Sequence, residues 1–362
     1  MKLVIKQILQ LIAALMALYA VLLTISLLLV PRFGGGPRLD ASQASSSLFL
    51  TEPKYVFMAR SRLNTPSDKV LLLGASNMLV GFRQAQVQAL LPEVEVHNLS
   101  VGGSNIGQVS QIVDLIREVQ SPESRRHNTY VIGLWYGVFA SDQARWNTPD
   151  RHAGDTDIDI ERYRYGFYRR TEAGAVPVLP PMLLDTGVLL IHPYLVLDRT
   201  ARDLTRSLRD FMASRPASMT DDQRNAVVIG DADKRRYLAF WRDYMGSTDT
   251  LDAQPFRLLQ RTVDGILAEG GRVILVDMPI PAWHTSASPL AADYRTRLDS
   301  LLSGLQGRAG VALLRMDDAH ADEDFSDEVH PKPRVTASWA QRLAAVIKTS
   351  ESLPPSQSAS AH

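Results

Sequence analysis

The chain reads as an α/β protein of three layers, in which helices cover both faces of a mostly parallel five-stranded sheet, behind one N-terminal transmembrane helix. Three observations predict this. Short apolar runs alternate with stretches of helical periodicity between residues 69 and 348, a charge-free apolar run opens the chain, and the alternation lapses between residues 141 and 255, where a helical insertion is expected.

The opening run, Gln7 to Val30, contains no charged residue. At about 1.5 Å per residue it covers a hydrocarbon core of ~30 Å. It exceeds the roughly 7 to 15 apolar residues of a secretory signal, and it leaves through Leu29, Val30, Pro31 and Arg32 with no small-x-small exit. Residues 1–31 are therefore expected to be an uncleaved anchor in the lipid bilayer. Lys2 and Lys6 ahead of the run favour a cytoplasmic N-terminus, with the remaining chain outside the cytoplasm. Gly34 to Gly36 and a Ser-rich stretch at 42–47 make residues 32–68 a tether and lead-in.

Past the tether, Lys69 to Gly74 reads as a strand ending in a tight turn, and Met78 to Leu91 as a helix. Strands follow at Glu95 to Leu99, Thr129 to Tyr136, Arg272 to Met278 and Val311 to Arg315, with helices at Ile106 to Val119, Phe256 to Ala268 and Val335 to Ile347. Residues 349–362 are polar, Pro- and Ser-rich, and expected to be a disordered tail. Inside the insertion, helical stretches are expected near Thr200 to Met212 and Asp233 to Tyr244. There Glu161 to Arg170 interleaves cations with four aromatics, suited to a glycan, to lipid headgroups, or simply to an amphipathic surface.

Composition excludes several classes. Lys plus Arg and Asp plus Glu are both 39, so no basic field is present to hold nucleic acid. The absence of cysteine removes disulfides, thiolate metal sites and thiol nucleophiles. The eight histidines form no H-E-x-x-H or similar pair, so neither a zinc site nor any other metal or cofactor is expected. GGSNIG departs from the dinucleotide fingerprint, and no phosphate-binding P-loop sequence occurs.

Three short motifs carry chemistry. Gly74-Ala75-Ser76-Asn77 falls where the first strand gives way to a helix, the corner at which a hydroxyl is exposed and a backbone N–H points outward. Ser76 there suits a nucleophile, and equally a helix cap. Asn98 to Ser104 follows the second strand, where Gly102 and Gly103 let the backbone approach a bound group, or form a simple turn. Asp327-Glu328-Val329-His330-Pro331 precedes the last helix. An Asp three residues before a His can hold Nδ1–H and leave Nε2 to take a proton from a hydroxyl, unless the segment is only a solvated acidic loop.

In this order, the serine after strand one, the glycine after strand two and D-x-x-H-P before the last helix resemble the SGNH (GDSL-type) hydrolase superfamily, over residues 69–348. The resemblance implies Ser76 as nucleophile, the N–H groups of Ser76 and Gly103 as oxyanion hole, and His330 with Asp327 as base and orienter. Two blocks depart from the family. Ala75 stands where Asp is common, and the third block, usually Gly-x-Asn-Asp, reads Gly133-Leu134-Trp135-Tyr136, without its oxyanion-donating Asn. Trp135, Tyr136 and Asn77 are candidate substrate-binding residues.

An anchored domain of this kind looks like the bacterial proteins that O-acetylate exopolysaccharides. That likeness implies a single-pass inner-membrane protein with its catalytic domain facing the periplasm. It also implies an O-acetyltransferase acting on a polysaccharide, served by a multi-spanning acyltransferase or a polysaccharide synthase complex. An O-acetyl esterase and a non-catalytic polysaccharide-binding scaffold are the alternatives. Trp146, Tyr163, Tyr165, Phe167 and Tyr168 would stack on sugar rings, with Arg162 and Arg164 addressing hydroxyls or carboxylates.

Overall fold

The computed structural model describes residues 2–28, 56, 59–140, 155, 157–172, 174–212, 219–246 and 248–351. The elements used below are α1 (Lys2–Leu28), β1 (Lys69–Leu73), α2 (Ser76–Gly81), α3 (Gln84–Leu90), β2 (Glu95–Asn98), α4 (Ile106–Val119), β3 (Asn128–Leu134), α5 (Asp157–Tyr163), β4 (Tyr168–Thr171), β5 (Gly174–Pro177), α6 (Pro181–Leu190), α7 (His192–Met212), α8 (Asp231–Tyr244), α9 (Gln254–Ala268), β6 (Arg272–Asp277), α10 (Ala282–Ala287), α11 (Pro289–Leu305), β7 (Val311–Arg315) and α12 (Pro333–Glu351). The chain divides into two compact units, one of Met1–Arg60 with Asp159–Ala217, the other of Ser61–Ile158 with Ser218–His362.

The larger unit is built on a five-stranded, wholly parallel sheet in the order β2-β1-β3-β6-β7. Leu71, Leu72, Leu73, Val131, Ile132, Ile274 and Leu275 are fully buried. A strand in a parallel sheet is covered on both faces, which is why these segments read as unbroken apolar runs with no alternation. Helices α2, α3 and α12 pack together as one group, and α4 packs on α9. The chain leaves β1 towards β2 and leaves β3 in the opposite direction towards β6. The point where the connections diverge therefore lies between the carboxyl ends of β1 and β3, where an open α/β sheet forms its ligand crevice.

Local chemistry sets several boundaries. The Asn105 side chain accepts from Gln108 N at 2.9 Å and starts α4. The helix expected over 78–91 is broken in two at Phe82 and Arg83. Phe82 is buried against Trp339, and the Asn98 carboxamide donates to the Phe82 carbonyl at 3.0 Å, satisfying the group that the break exposes. The third strand ends at Leu134 and tightens into a 3₁₀ turn, Tyr136–Phe139, whose Phe139 stacks on Phe256 with ring centroids 4.0 Å apart. Two helices, α10 and α11, occupy a stretch after β6 for which no element was expected; Pro281 and Pro289 stand at their starts, where a missing N–H is harmless. The last helix runs on to Glu351, and the remainder of the expected tail lies outside the described residues.

The smaller unit contains α1, which is long and apolar enough to cross a membrane, together with an antiparallel hairpin β4–β5 and helices α6 and α7. The expected insertion, residues 141–255, falls in both units. Residues 159–217 group with the N-terminal helix, whereas α8 belongs to the unit that holds the sheet. The expected helices near 200–212 and 233–244 are present as parts of α7 and α8, while the β4–β5 hairpin was not expected. The tether falls mostly outside the described residues.

Candidate active site

The site is assembled at the carboxyl end of β1. Gly74 turns the chain with φ +149°, and a Cβ there would lie 2.9 Å from Met78 Cβ and 3.2 Å from the Gly133 carbonyl oxygen. Only glycine fits both the angle and the space. Gly74→Ala is accordingly expected to destabilise the protein by about 1–3 kcal/mol, read as a lowered thermal midpoint of the purified chain. An unchanged midpoint would show that the turn relaxes freely. This corner delivers Ser76 as the first residue of α2, with its backbone N–H outside the intrahelical ladder.

The turn after β2 is tied to the same corner. Val101 N and Ser104 Oγ both donate to the Gly74 carbonyl at 2.9 Å. A Cβ on Gly102 would approach Ser76 Cβ to 3.9 Å, and exposed Gly103 follows with φ +68°. The backbone at Gly102 therefore runs beside Ser76, and the left-handed angle at Gly103 favours glycine there.

Opposite, a loop closed by a Phe325–Pro331 bridge and by Ser326 N donating to the His330 carbonyl at 2.9 Å presents an acid and an imidazole. Asp327 Oδ1 accepts from the N–H groups of Val329 and His330 at 3.0 and 2.8 Å, which fixes the carboxylate by its own loop. Its Oδ2 lies 2.7 Å from His330 Nδ1, and His330 Nε2 lies 2.7 Å from Ser76 Oγ. With the proton on Nδ1, Nε2 is the acceptor for the serine hydroxyl. Residues 254 positions apart in sequence thus form one hydroxyl–imidazole–carboxylate line.

The electrostatics of the line are consistent with a base and its orienter. Burial acts to lower the His330 pKa, but the hydrogen bond and charge of Asp327, with the charge of Glu328, outweigh it and hold the imidazole above its ordinary value. Burial acts to raise Asp327, and is outweighed by its bonds to His330 and the loop amides, so that carboxyl is held below its ordinary value. Among the described residues no cluster of His, Asp and Glu could hold a metal ion.

Behind the loop stands a second layer that the motifs did not reveal. His284 Nδ1–H donates to the Glu328 carbonyl at 2.9 Å, which leaves Nε2 to accept from the Tyr136 hydroxyl at 2.5 Å. Burial lowers the His284 pKa, in the direction that favours the neutral ring these two bonds require. Trp241 from α8 donates its indole N–H to Glu328 Oε1 at 3.3 Å, and its ring packs edge-on against Trp135. The sequence signal that could have found His284 is its place shortly after the carboxyl end of β6, on the sheet edge that carries the site.

The remaining candidates fall in different places. Asn77 is 1% exposed, with its carboxamide oxygen accepting from Met78 N, so the side chain lies within the core of the corner. Trp135 and Tyr136 are also buried, and their rings are in edge contact. They line a cavity of about 230 Å³ at the carboxyl ends of β3, β6 and β7, together with Met278, Ile280, Arg295 and Asp317. At its floor, Asp277 accepts from the Tyr294 hydroxyl at 2.9 Å and from Arg295 at 2.5 Å, while burial pushes its carboxyl pKa up. The indole N–H of Trp135 is buried and has no hydrogen-bond partner among the described residues.

Tyr163, Tyr165, Phe167 and Tyr168 belong to the smaller unit and take part in its internal packing. Arg170 sits over the Tyr163 ring, Arg162 over Tyr168, the Tyr165 hydroxyl donates to Asp198 at 2.8 Å, and Phe167 lies against Gly187. Trp146 lies outside the described residues. No family model and no curated protein matches the chain.

Proposed function

We propose that this is a membrane-anchored enzyme of SGNH-like fold that forms an acyl-enzyme on Ser76 and moves an acetyl group to or from a polysaccharide. The observation that carries the reading is the Ser76–His330–Asp327 line at the divergence point of a parallel sheet. His330 Nε2 takes the hydroxyl proton as Ser76 Oγ attacks the ester carbonyl. The N–H groups of Ser76 and Gly103 serve as donors to the resulting oxyanion, and the imidazolium returns the proton to the departing alkoxide. In the second half an acceptor hydroxyl gives its proton to His330 and takes the acyl group, releasing Ser76. Water as acceptor makes the enzyme an esterase, and a sugar hydroxyl makes it a transferase. Support for transfer comes from α1, which would keep the domain beside a membrane partner that delivers acyl groups from the cytoplasm. The cavity beside Trp135 offers an aromatic wall with an acidic and a basic group at its rim, suited to a hydroxyl-rich ring.

A fluorophosphonate probe tests the mechanism on the full chain in detergent. Covalent labelling at Ser76, absent in Ser76→Ala, is the expected result. No labelling, under conditions that label a control serine hydrolase, would favour the polysaccharide-binding scaffold instead. Polysaccharide acetyl content in a Ser76→Ala strain then separates the two enzymes, since loss of a transferase lowers it and loss of an esterase raises it.

A further inference from the structure

The smaller unit presents apolar surface well beyond α1. Val178, Leu179, Leu183 and Leu190 are exposed on and before α6, and Tyr194, Leu197, Leu204 and Leu208 on α7. On α7 the exposed apolar residues among those described fall at Tyr194, Leu197, Ala201, Leu204 and Leu208, spacings of three and four that place them in one stripe. His192 and Leu195, on the opposite side of the first turns, are buried. The exposed stripe is thus not the face by which α7 is held in its own unit. What holds it is α1: the two helices pack together, and His192 Nδ1 bonds Ser26 Oγ at 2.9 Å, with the two residues 1% and 4% exposed. Ser26 lies in the last turn of α1, the end at which a spanning α1 would leave the hydrocarbon. The apolar surface of α6 and α7 therefore begins where the lipid-facing surface of α1 ends.

We infer that α6 and the apolar stripe of α7 lie in the membrane interface beside the anchor, embedded in the leaflet from which α1 emerges. The inference rests on the reading of α1 as a membrane span. A helix with this patterning sinks its apolar face roughly 5–10 Å below the headgroups and leaves its polar face in water. Charge contributes little, because α7 has four arginines against three aspartates. Apolar burial carries the docking, so it persists at high salt. On this inference the anchor and the interfacial helices hold the unit to the membrane at two places, which restrains its orientation as a single spanning helix cannot.

The lack of native cysteine gives a clean background for site-directed labelling. Leu183→Cys, Leu197→Cys, Leu15→Cys in α1 and Arg209→Cys on the polar flank of α7 are each labelled with an environment-sensitive fluorophore. The full chains are then reconstituted into phosphatidylethanolamine–phosphatidylglycerol vesicles, with spin-labelled lipids as quenchers. Labels at 183 and 197 are expected to be blue-shifted and quenched at least about twofold by a quencher near the headgroups, at low and high salt alike, and the label at 209 to be unaffected. Unquenched labels at 183 and 197, with the label at 15 quenched by a deep quencher, overturn the interfacial docking and leave the anchor standing. An unquenched label at 15 overturns both. A blue shift at 197 without lipid quenching, accompanied by cysteine cross-linking between copies, assigns the stripe to a second copy of the chain and overturns the lipid assignment.

Discussion

Ser76→Ala is expected to lower kcat for a chromogenic aryl acetate by about 10⁵- to 10⁶-fold, the scale on which a nucleophile is lost from a working serine–histidine pair. The fold should survive the change. Ser76 Oγ is bonded to His330 Nε2, the remaining bonds of the His330 loop are made by Asp327 and by backbone groups, and the corner itself is set by Gly74. A thermal midpoint within a few degrees of the parent, alongside lost turnover, separates chemistry from unfolding. A variant that keeps more than about a tenth of the parent rate would show that Ser76 is not the nucleophile.

How far the sequence disclosed this site depends on the range over which each determinant acts. The three central strands β1, β3 and β6 were legible because double-sided burial makes them largely apolar runs, and α4 because its Asn105 cap and apolar spacing are local. The serine, the glycine and the D-x-x-H-P loop were legible because each sits at the end of a strand or the start of a helix, where only a few residue types are tolerated. The break between α2 and α3 was not legible, since it depends on Phe82 meeting Trp339 from the far end of the chain. Nor was the support for Glu328, whose partners Trp241 and His284 lie 87 and 44 residues away. Trp135 shows the same limit. The sequence records that an indole stands where an amide was expected; only the packed structure shows that its ring lies over Gly137, where a Cβ would come within 2.4 Å, and against Trp241. The division of residues 141–255 between two units is also non-local, because 159–217 associate with a helix near the N-terminus.

Asp327→Asn is expected to cost about 10⁴-fold in kcat and to move the acidic limb of the kcat/KM profile to lower pH. Both effects follow from the same contact. The Asp327 carboxylate is the acceptor that places the His330 proton on Nδ1; an amide can turn its NH₂ towards Nδ1, driving the proton to Nε2 and facing the serine with a donor. The carboxylate also outweighs the burial that would otherwise depress the His330 pKa. Since a base works only when neutral, the parent is expected to lose activity as pH falls through a His330 pKa lying above its ordinary value. Removing the Asp327 charge lets burial prevail, so the residual activity of the variant persists to lower pH. Glu328→Gln separates the two roles: its charge acts on His330 from outside the line, so it should shift the limb slightly in the same direction with kcat within about tenfold of the parent. If Asp327→Asn retains kcat within tenfold, or its acidic limb moves to higher pH, His330 is not a base oriented by Asp327.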